Sequence, residues 1–518
     1  MRRILLLTFG LPLALTACAD YSLEKADGAY DEADTGSYDD TGAAGESPDD
    51  DDADGDPERE DDFIKLLPAT TNQYIFVVNS ARDTVSRVAV PSLQVLTVEV
   101  GSRPKVVRTT ADNQRAIVFN EGSDDVTVLD AETLAATTVD VLPYLNAMVL
   151  SDDGVWAVVY RDADEEGDGS SGGAQSFNEL SIVNTVTGEH YTEVVGFKPR
   201  QVKFTEDSGR ALVVSDEYLS VIDLDGEDPE VQVVEIAEDL LDPPPAEEIE
   251  VSPDGAYAFL RQFGEDSIAL IDLDTLTVDR LPAGQNPTDL DLSPDGARAV
   301  VVSRGSNELY VFDVENPYGD PEVIALPSDE FIGSVQFSPD NSKAMLYTTA
   351  ALVDHYTTWD LASGELTVRP LIKPIQSVNV TPDGGALVVF HTKEDASDAD
   401  KTSEFYGEWA MSMISLSDFR RNAILLSAEP TAYADSLDGR WGFFVMESKP
   451  FLEVLDYDNL GLTEIKLRSN PAHVGVLTGT SYAYVNQDHE LGRLSFYDPD
   501  AELLETITGF ELNSGIEH

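Results

Sequence analysis

One phrase recurs about every forty to fifty-five residues along this chain. It is seen most openly as Leu292-Ser293-Pro294-Asp295-Gly296-Ala297-Arg298-Ala299-Val300-Val301-Val302, then a polar gap, then Leu309-Tyr310-Val311-Phe312-Asp313. Three observations predict an all-β fold, a single β-propeller of about 8–10 four-stranded blades: the repeat period, the Asp-Gly turn in each unit, and the apolar run after that turn. A disordered acidic tether precedes it. A propeller scaffold hosts binding modules and enzymes alike, so the fold leaves the activity open.

The N-terminal segment, residues 1–17, has the make-up of a targeting signal. Arg2 and Arg3 precede an apolar run from Ile4 to Ala17, shorter than the ~20 residues a bilayer-spanning helix needs. The run ends in Leu15-Thr16-Ala17-Cys18, which resembles a bacterial lipobox, and Cys18 is the sole cysteine of the chain. That resemblance implies cleavage before Cys18 and lipidation of it, hence a lipid-anchored lipoprotein of the cell envelope. Ala19 follows rather than aspartate, which favours the outer membrane. With its thiol acylated, the mature chain has no disulfide and no cysteine-ligated metal.

Residues 18–62 are rich in Asp, Glu, Gly, Ala and Ser and nearly empty of large apolar side chains. Such a segment buries too little surface to fold and reads as a self-repelling spacer. Residues 63–518 carry the repeats and have material for a large core. The whole chain has 98 acidic against 32 basic residues and a formal charge of −66. Nucleic acid and anionic surfaces are therefore poor partners.

Within the repeats, the turns after each first strand fall at Asp112-Asn113, Asp153-Gly154, Asp207-Ser208-Gly209, Asp254-Gly255, Asp295-Gly296, Asp340-Asn341, Asp383-Gly384, Asp438-Gly439 and, degenerate, Gly479-Thr480. These residues tolerate the positive φ of a tight hairpin. The second strands that follow are continuous apolar runs, as strands buried on both faces require. One more such strand, 74–78, stands before any turn, and the preceding segment 63–67 is expected to close its blade. Third strands end in an apolar residue plus Asp, as in Leu129-Asp130, Ile271-Asp272 and Tyr497-Asp498. So regular a position is expected to cap the next turn rather than to carry catalysis.

Tyr74-Ile75-Phe76-Val77-Val78-Asn79, Asp83-Thr84-Val85-Ser86-Arg87-Val88, Val98-Glu99-Val100-Gly101-Ser102-Arg103-Pro104 and, near the end, Tyr484-Val485-Asn486 resemble the YVTN-type β-propeller repeats of bacterial and archaeal surface proteins. Further Gly-x-x-Pro joints stand at 196–199 and 284–287. The resemblance covers residues 74 to about 508. Trp359-Asp360 resembles the WD dipeptide of WD40 propellers without the rest of that pattern. Seven blades are usual for the YVTN type, whereas this sequence has nine complete units and a leading partial one, so the ring is expected to be unusually large.

In a propeller the loops after second and fourth strands share one face. The insertions 162–178 and 392–409 follow second strands, and 237–247 follows a fourth, so all three decorate that face, here called the insertion face. Phe405, Tyr406 and Trp409 in the second of them suit contact with a partner. Cations are expected on the same face. Arg82, Arg161, Arg261, Arg304 and Lys449 follow second strands, and Arg103, Lys105, Lys198, Arg200 and Lys373 lie in the joints near the channel mouth. His391 and His473 join them. Such a basic mouth in an acidic protein would attract an anionic group.

Two sets of carboxylates are candidate Ca²⁺ ligands. Glu248, Glu250, Asp289 and Asp291 lie on first strands lining the channel, and Asp50, Asp52 and Asp54 in the tether have the spacing of an oxygen-ligand loop. No Gly-x-Ser-x-Gly elbow, His-Glu-x-x-His pair, P-loop or dinucleotide fingerprint occurs. The expected function is a lipid-anchored envelope module that binds a protein or anionic small molecule or glycan through the insertion face. A lactonase- or hydrolase-type enzyme with a divalent ion at the channel mouth and His391 or His473 as base is the alternative, followed by a structural envelope component.

Overall fold

The computed structural model describes residues 69–162, 177–226, 228–327, 331–489 and 492–509. The signal segment, Cys18, the acidic spacer with Asp50, Asp52 and Asp54, and the segment 63–67 lie outside the described residues. Ten four-stranded antiparallel sheets follow one another, each made of four consecutive strands. Blades 1 to 10 span residues 69–99, 104–140, 147–194, 201–235, 246–282, 287–325, 334–370, 375–425, 430–466 and 471–508. The count is the upper end of the expected range. The extra blade is the first: the partial leading unit is completed by Ala69–Thr70, a two-residue inner strand paired with Ile75 and Phe76.

Strand composition follows position in the blade. Second and third strands, such as Arg298–Ser303 and Ser267–Asp272, bury nearly every residue between neighbouring blades. Fourth strands, such as Thr277–Pro282, are half-exposed and alternate, because one side faces solvent. Ten hydrophobic clusters each fill one junction between adjacent blades. The last of these junctions brings Tyr484, Leu494 and Phe496 of blade 10 against Ile75 and Val88 of blade 1, so the ring is closed. Among the described residues, closure uses side-chain packing and a hydroxyl contact of 3.1 Å between Thr70 and Thr478, with no strand exchanged between first and last blades.

The turn that recurs in sequence is a hydrogen-bonded unit. In blade 5 the Ser252 hydroxyl donates to Asp254 Oδ1 at 2.6 Å and accepts the Tyr257 N–H at 2.9 Å, while Asp254 also accepts the Ala256 N–H at 3.1 Å. These donors hold the Asp254 carboxyl below its usual range. The same pattern recurs at Ser293 with Asp295, Ser338 with Asp340 and Thr381 with Asp383. Gly296 illustrates why the next position is small. Its φ is 65°, and a Cβ there would strike the Pro253 ring of the preceding blade. Third-strand aspartates cap their turns as expected: Asp272 Oδ1 accepts the N–H groups of Thr275 at 2.7 Å and Asp274 at 3.1 Å.

Candidate functional site

Inner strands start at the insertion face and end at the turn face, so every Gly-x-x-Pro joint opens at the channel mouth. The residue before proline is left-handed in all three joints: φ is 49° at Arg103, 55° at Lys198 and 51° at Asn286. The Arg103 and Asn286 N–H groups are held by Asp83 at 2.8 Å and Asp266 at 3.3 Å, aspartates that precede third strands. In the third joint the Lys198 N–H is held instead by Phe177 O at 2.7 Å, and Arg103 and Lys198 stand exposed on their joints.

The expected cations divide by what they touch. Arg200 forms a two-armed pair with Asp216, Nε to Oδ1 at 2.6 Å and Nη2 to Oδ2 at 3.0 Å. Lys105 lies 3.4 Å from Glu121. Arg261 is half-buried between Glu247 and Glu248, with Nε 3.1 Å from Glu248. Arg82 is exposed, and Arg304 and Lys449 are half-buried. His473 is half-buried on the blade 10 inner strand, and burial pushes its pKa down against the pull of Asp488.

Two expectations are corrected. Lys373 is interior, 1% exposed, because its ammonium is consumed by three acceptors: Lys393 O at 2.8 Å, Asp395 Oδ1 at 2.6 Å and Phe405 O at 3.2 Å. Asp395 Oδ2 in turn accepts the Gly407 N–H at 2.8 Å, so one buried ion pair shapes the 392–409 insertion. His391 is fully buried, with Nε2 2.8 Å from Ser412 Oγ and Nδ1 3.2 Å from Pro374 O. Desolvation pushes its pKa down to about 4, which keeps the ring neutral and structural.

Of the carboxylates expected along the channel, Glu248, Asp289 and Asp291 converge, with one oxygen of each within 4.8 Å of the others. Glu250 is engaged separately by Lys203, whose Nζ lies 2.7 Å from it and also donates to Ile249 O at 2.8 Å. Two of the converging groups also tie neighbouring blades together. Glu248 accepts the Leu290 N–H of blade 6 at 2.8 Å, and Asp289 accepts the Val335 N–H of blade 7 at 2.5 Å. Inner strands present an open edge toward the channel, and these carboxylates satisfy its backbone donors. Glu248, Asp289 and Asp291 supply the hard oxygen atoms a Ca²⁺ ion takes, beside the Arg261 guanidinium that already balances part of their charge.

The insertion face has a feature the charge pattern did not mark. Phe177 and Phe197 pack with ring centroids 5.9 Å apart. The Arg161 guanidinium lies 5.4 Å from the Phe177 ring, and Lys198 Nζ lies 5.6 Å from the Phe197 ring. Arg161 also donates to Tyr144 O at 3.0 Å, and the Tyr144 side chain is 38% exposed beside it. Among the described residues, the exposed large apolar side chains in insertion-face loops are Tyr144, Phe197, Leu241, Phe263, Phe331, Leu352 and Tyr406. Turn-face loops hold only Val186, Tyr318 and Leu437. The one available signal was Gly196-Phe197-Lys198-Pro199, a joint with an aromatic where the others carry Ser102 and Gln285.

A family model described as "Lactonase, 7-bladed beta-propeller" matches residues 178–325, from the third strand of blade 3 through blade 6. No curated protein matches the chain. Among solved structures, it is similar to the dihydro-heme d1 dehydrogenase NirN in complex with DHE, at 15% identity and TM-score 0.44, over 72% of this chain and 79% of that one. Hydrazine synthase of Kuenenia stuttgartiensis matches at 18% identity and TM-score 0.31, over 60% and 97%. A eukaryotic initiation factor matches at 10% identity and TM-score 0.49, over 76% and 97%. The chain is a β-propeller protein, and one stretch of it, over blades 3 to 6, is similar to the seven-bladed lactonase propellers.

Proposed function

We propose that this protein is a binding module of the bacterial envelope, tethered through a lipidated Cys18 and the acidic spacer, that holds a protein or anionic ligand on its insertion face. The observation that carries this reading is the clustering of aromatic and cationic side chains on that face, exposed at Tyr144, Phe197 and Lys198 and half-buried at Arg161 and Phe177. Aromatic and arginine side chains dominate the energetic centres of interfaces. Phe197 and Lys198 stand on a joint whose Lys198 N–H is held by Phe177 O at 2.7 Å, so little ordering entropy opposes binding there.

The hydrolase alternative receives less support from the geometry. It needs a base beside the Glu248, Asp289 and Asp291 carboxylates of blades 5 and 6. His391 is buried in blade 8, and His473 lies on blade 10, five blades round a ten-bladed ring from blade 5. The lactonase-like stretch does contain the three carboxylates, which leaves a channel-wall Ca²⁺ site compatible with a binding role.

The test is capture from native envelopes by wild type, by Phe197→Ala with Lys198→Glu, and by Tyr318→Ala on the opposite face. Loss of an interface anchor costs about 2 kcal/mol or more, so the double variant is expected to retain its partner at least about tenfold more weakly. Tyr318→Ala is expected to match wild type. Equal retention by all three, or capture of nothing, would sink the reading.

A further inference from the structure

The ten units of this ring serve as controls for one another, and the junction between blades 8 and 9 departs from the rest in a concerted way. The inner-strand position of Tyr433 holds Val202, Ile249, Leu290 or Val335 in other blades, all buried and apolar. The position of Asp435 holds Phe204, Val251, Leu292 or Phe337. The position of Tyr457, one residue past the third strand, holds Leu224, Leu273, Val314 or Leu361. A fourth change accompanies them. Asp435 pairs in register with Gly442, whereas Leu292 pairs with Ala299 and Val251 with Ala258. A Cβ at Gly442 would collide with the Tyr457 hydroxyl. Three apolar side chains have become a phenol, a carboxyl and a second phenol, and the alanine has shrunk to make room.

The result is a polar cluster set in an apolar wall, with Tyr433 buried and Asp435 and Tyr457 half-buried. Both tyrosine hydroxyls donate to Asp435, Tyr433 to Oδ2 and Tyr457 to Oδ1, and the two hydroxyls lie 3.1 Å apart. Around them pack Phe390 of blade 8 and Phe444 of blade 9, with Tyr433 stacked on Phe444 at 5.2 Å. Asp383, in the blade 8 turn, is the further charged group facing the cluster. Arg440, on the adjacent blade 9 turn, is drawn away toward Asp456, Asp458 and Asp500. No cation therefore balances an ionised Asp435 among the described groups that face it.

We propose that Asp435, Tyr433 and Tyr457, all on blade 9, form a proton-sensitive latch that seats this face of blade 9 against Phe390 of blade 8 when Asp435 is protonated and loosens that junction when it ionises. Desolvation, aided by Asp383 and opposed by the two phenols, pushes the Asp435 pKa up to about 7. The sign follows. An opened or unfolded chain ionises Asp435 near its ordinary value of about 3.9, so between there and about 7 the closed junction holds a proton that the open one has released. Its stability is full below that window and is lost as pH rises through it. One proton changes the opening equilibrium by up to about tenfold per pH unit.

Hydrogen exchange followed by mass spectrometry, corrected for intrinsic rates, tests this on the intact chain. Wild type is expected to lose protection in residues 386–391 and 430–446 between about pH 5 and about pH 8, by tenfold or more, relative to the blade 3–4 junction. Asp435→Asn is expected to abolish that difference. Tyr457→Phe removes one donor to the carboxylate and is expected to move the loss to higher pH. An equal pH response in wild type and Asp435→Asn, or an unmoved midpoint in Tyr457→Phe, would overturn the latch.

Discussion

Replacing Lys373 by methionine is expected to destabilise the protein by about 3–5 kcal/mol and to free the 392–409 insertion. The side chain is 1% exposed, and its partner Asp395 is nearly so, at 12%. Removing the ammonium leaves a buried carboxylate without its counter-charge and orphans two backbone carbonyls, Lys393 O and Phe405 O. Limited proteolysis reads the local effect, with cleavage within residues 396–408 expected to accelerate while the blades stay resistant. Denaturant unfolding reads the global one. Adding Asp395→Asn to Lys373→Met removes the stranded charge and is expected to restore part of the loss. A double variant no more stable than the single one would show that the ion pair is not what holds the loop.

Phe496→Ala is expected to cost about 3–5 kcal/mol, the usual range for emptying a buried aromatic site. Its location makes the consequence distinctive. Nine junctions of the ring are spanned by a short connecting loop, whereas the junction of blades 10 and 1 closes over 408 residues, the separation of Thr70 and Thr478. Closing so long a loop costs more entropy than closing a short one. Opening is therefore expected at this seam first, with protection lost in Tyr74–Asn79 and Arg493–Asp498 before the other blades. A Thr70→Cys and Thr478→Cys pair, in a Cys18→Ser background, is expected to recover the lost stability when oxidised. Loss of protection spread evenly round the ring would contradict this account of closure.

The contrast between what these residues show in sequence and in space has physical causes. The blades were legible because Asp-Gly turns and apolar second strands repeat, and repetition averages out local noise. The first blade was harder, since its inner strand is only Ala69–Thr70 and has no turn phrase of its own. The Ser and Thr hydroxyls that complete each turn were in plain view, at Ser252 or Thr381, yet a hydroxyl beside Asp-Gly reads as ordinary loop polarity. Lys373 and His391 were misplaced for one reason. Polar side chains in joints and strand ends are exposed by default, but the fold-back of the 392–409 loop consumes the Lys373 ammonium, and His391 is held inside blade 8 by Pro374 O and Ser412. Asp435 was missed because it stands just before Ser436-Leu437-Asp438-Gly439 and so resembles one more turn carboxylate. Its meaning appears only when the register sets it against Gly442 and two phenols.

The insertion face was legible from topology alone, because three long loops fall after second or fourth strands. Its chemistry was half legible. The cations were found, but several are spent on neighbouring carboxylates, as Arg200 is on Asp216 and Arg261 on Glu247 and Glu248. The aromatics that distinguish this face are scattered singly along the chain, and they become a patch only when the ring brings exposed Tyr144 and Phe197 together with half-buried Phe177.

Face-selective photocrosslinking in native envelopes tests the central claim most directly. A photoreactive phenylalanine analogue would be placed in turn at Phe197, Phe263 and Tyr406 on the insertion face, and at Val186, Tyr318 and Leu437 on the turn face. The account predicts one discrete adduct, shared by the first three positions and absent from the second three. Adducts from the turn face alone, or equally from both, would contradict it.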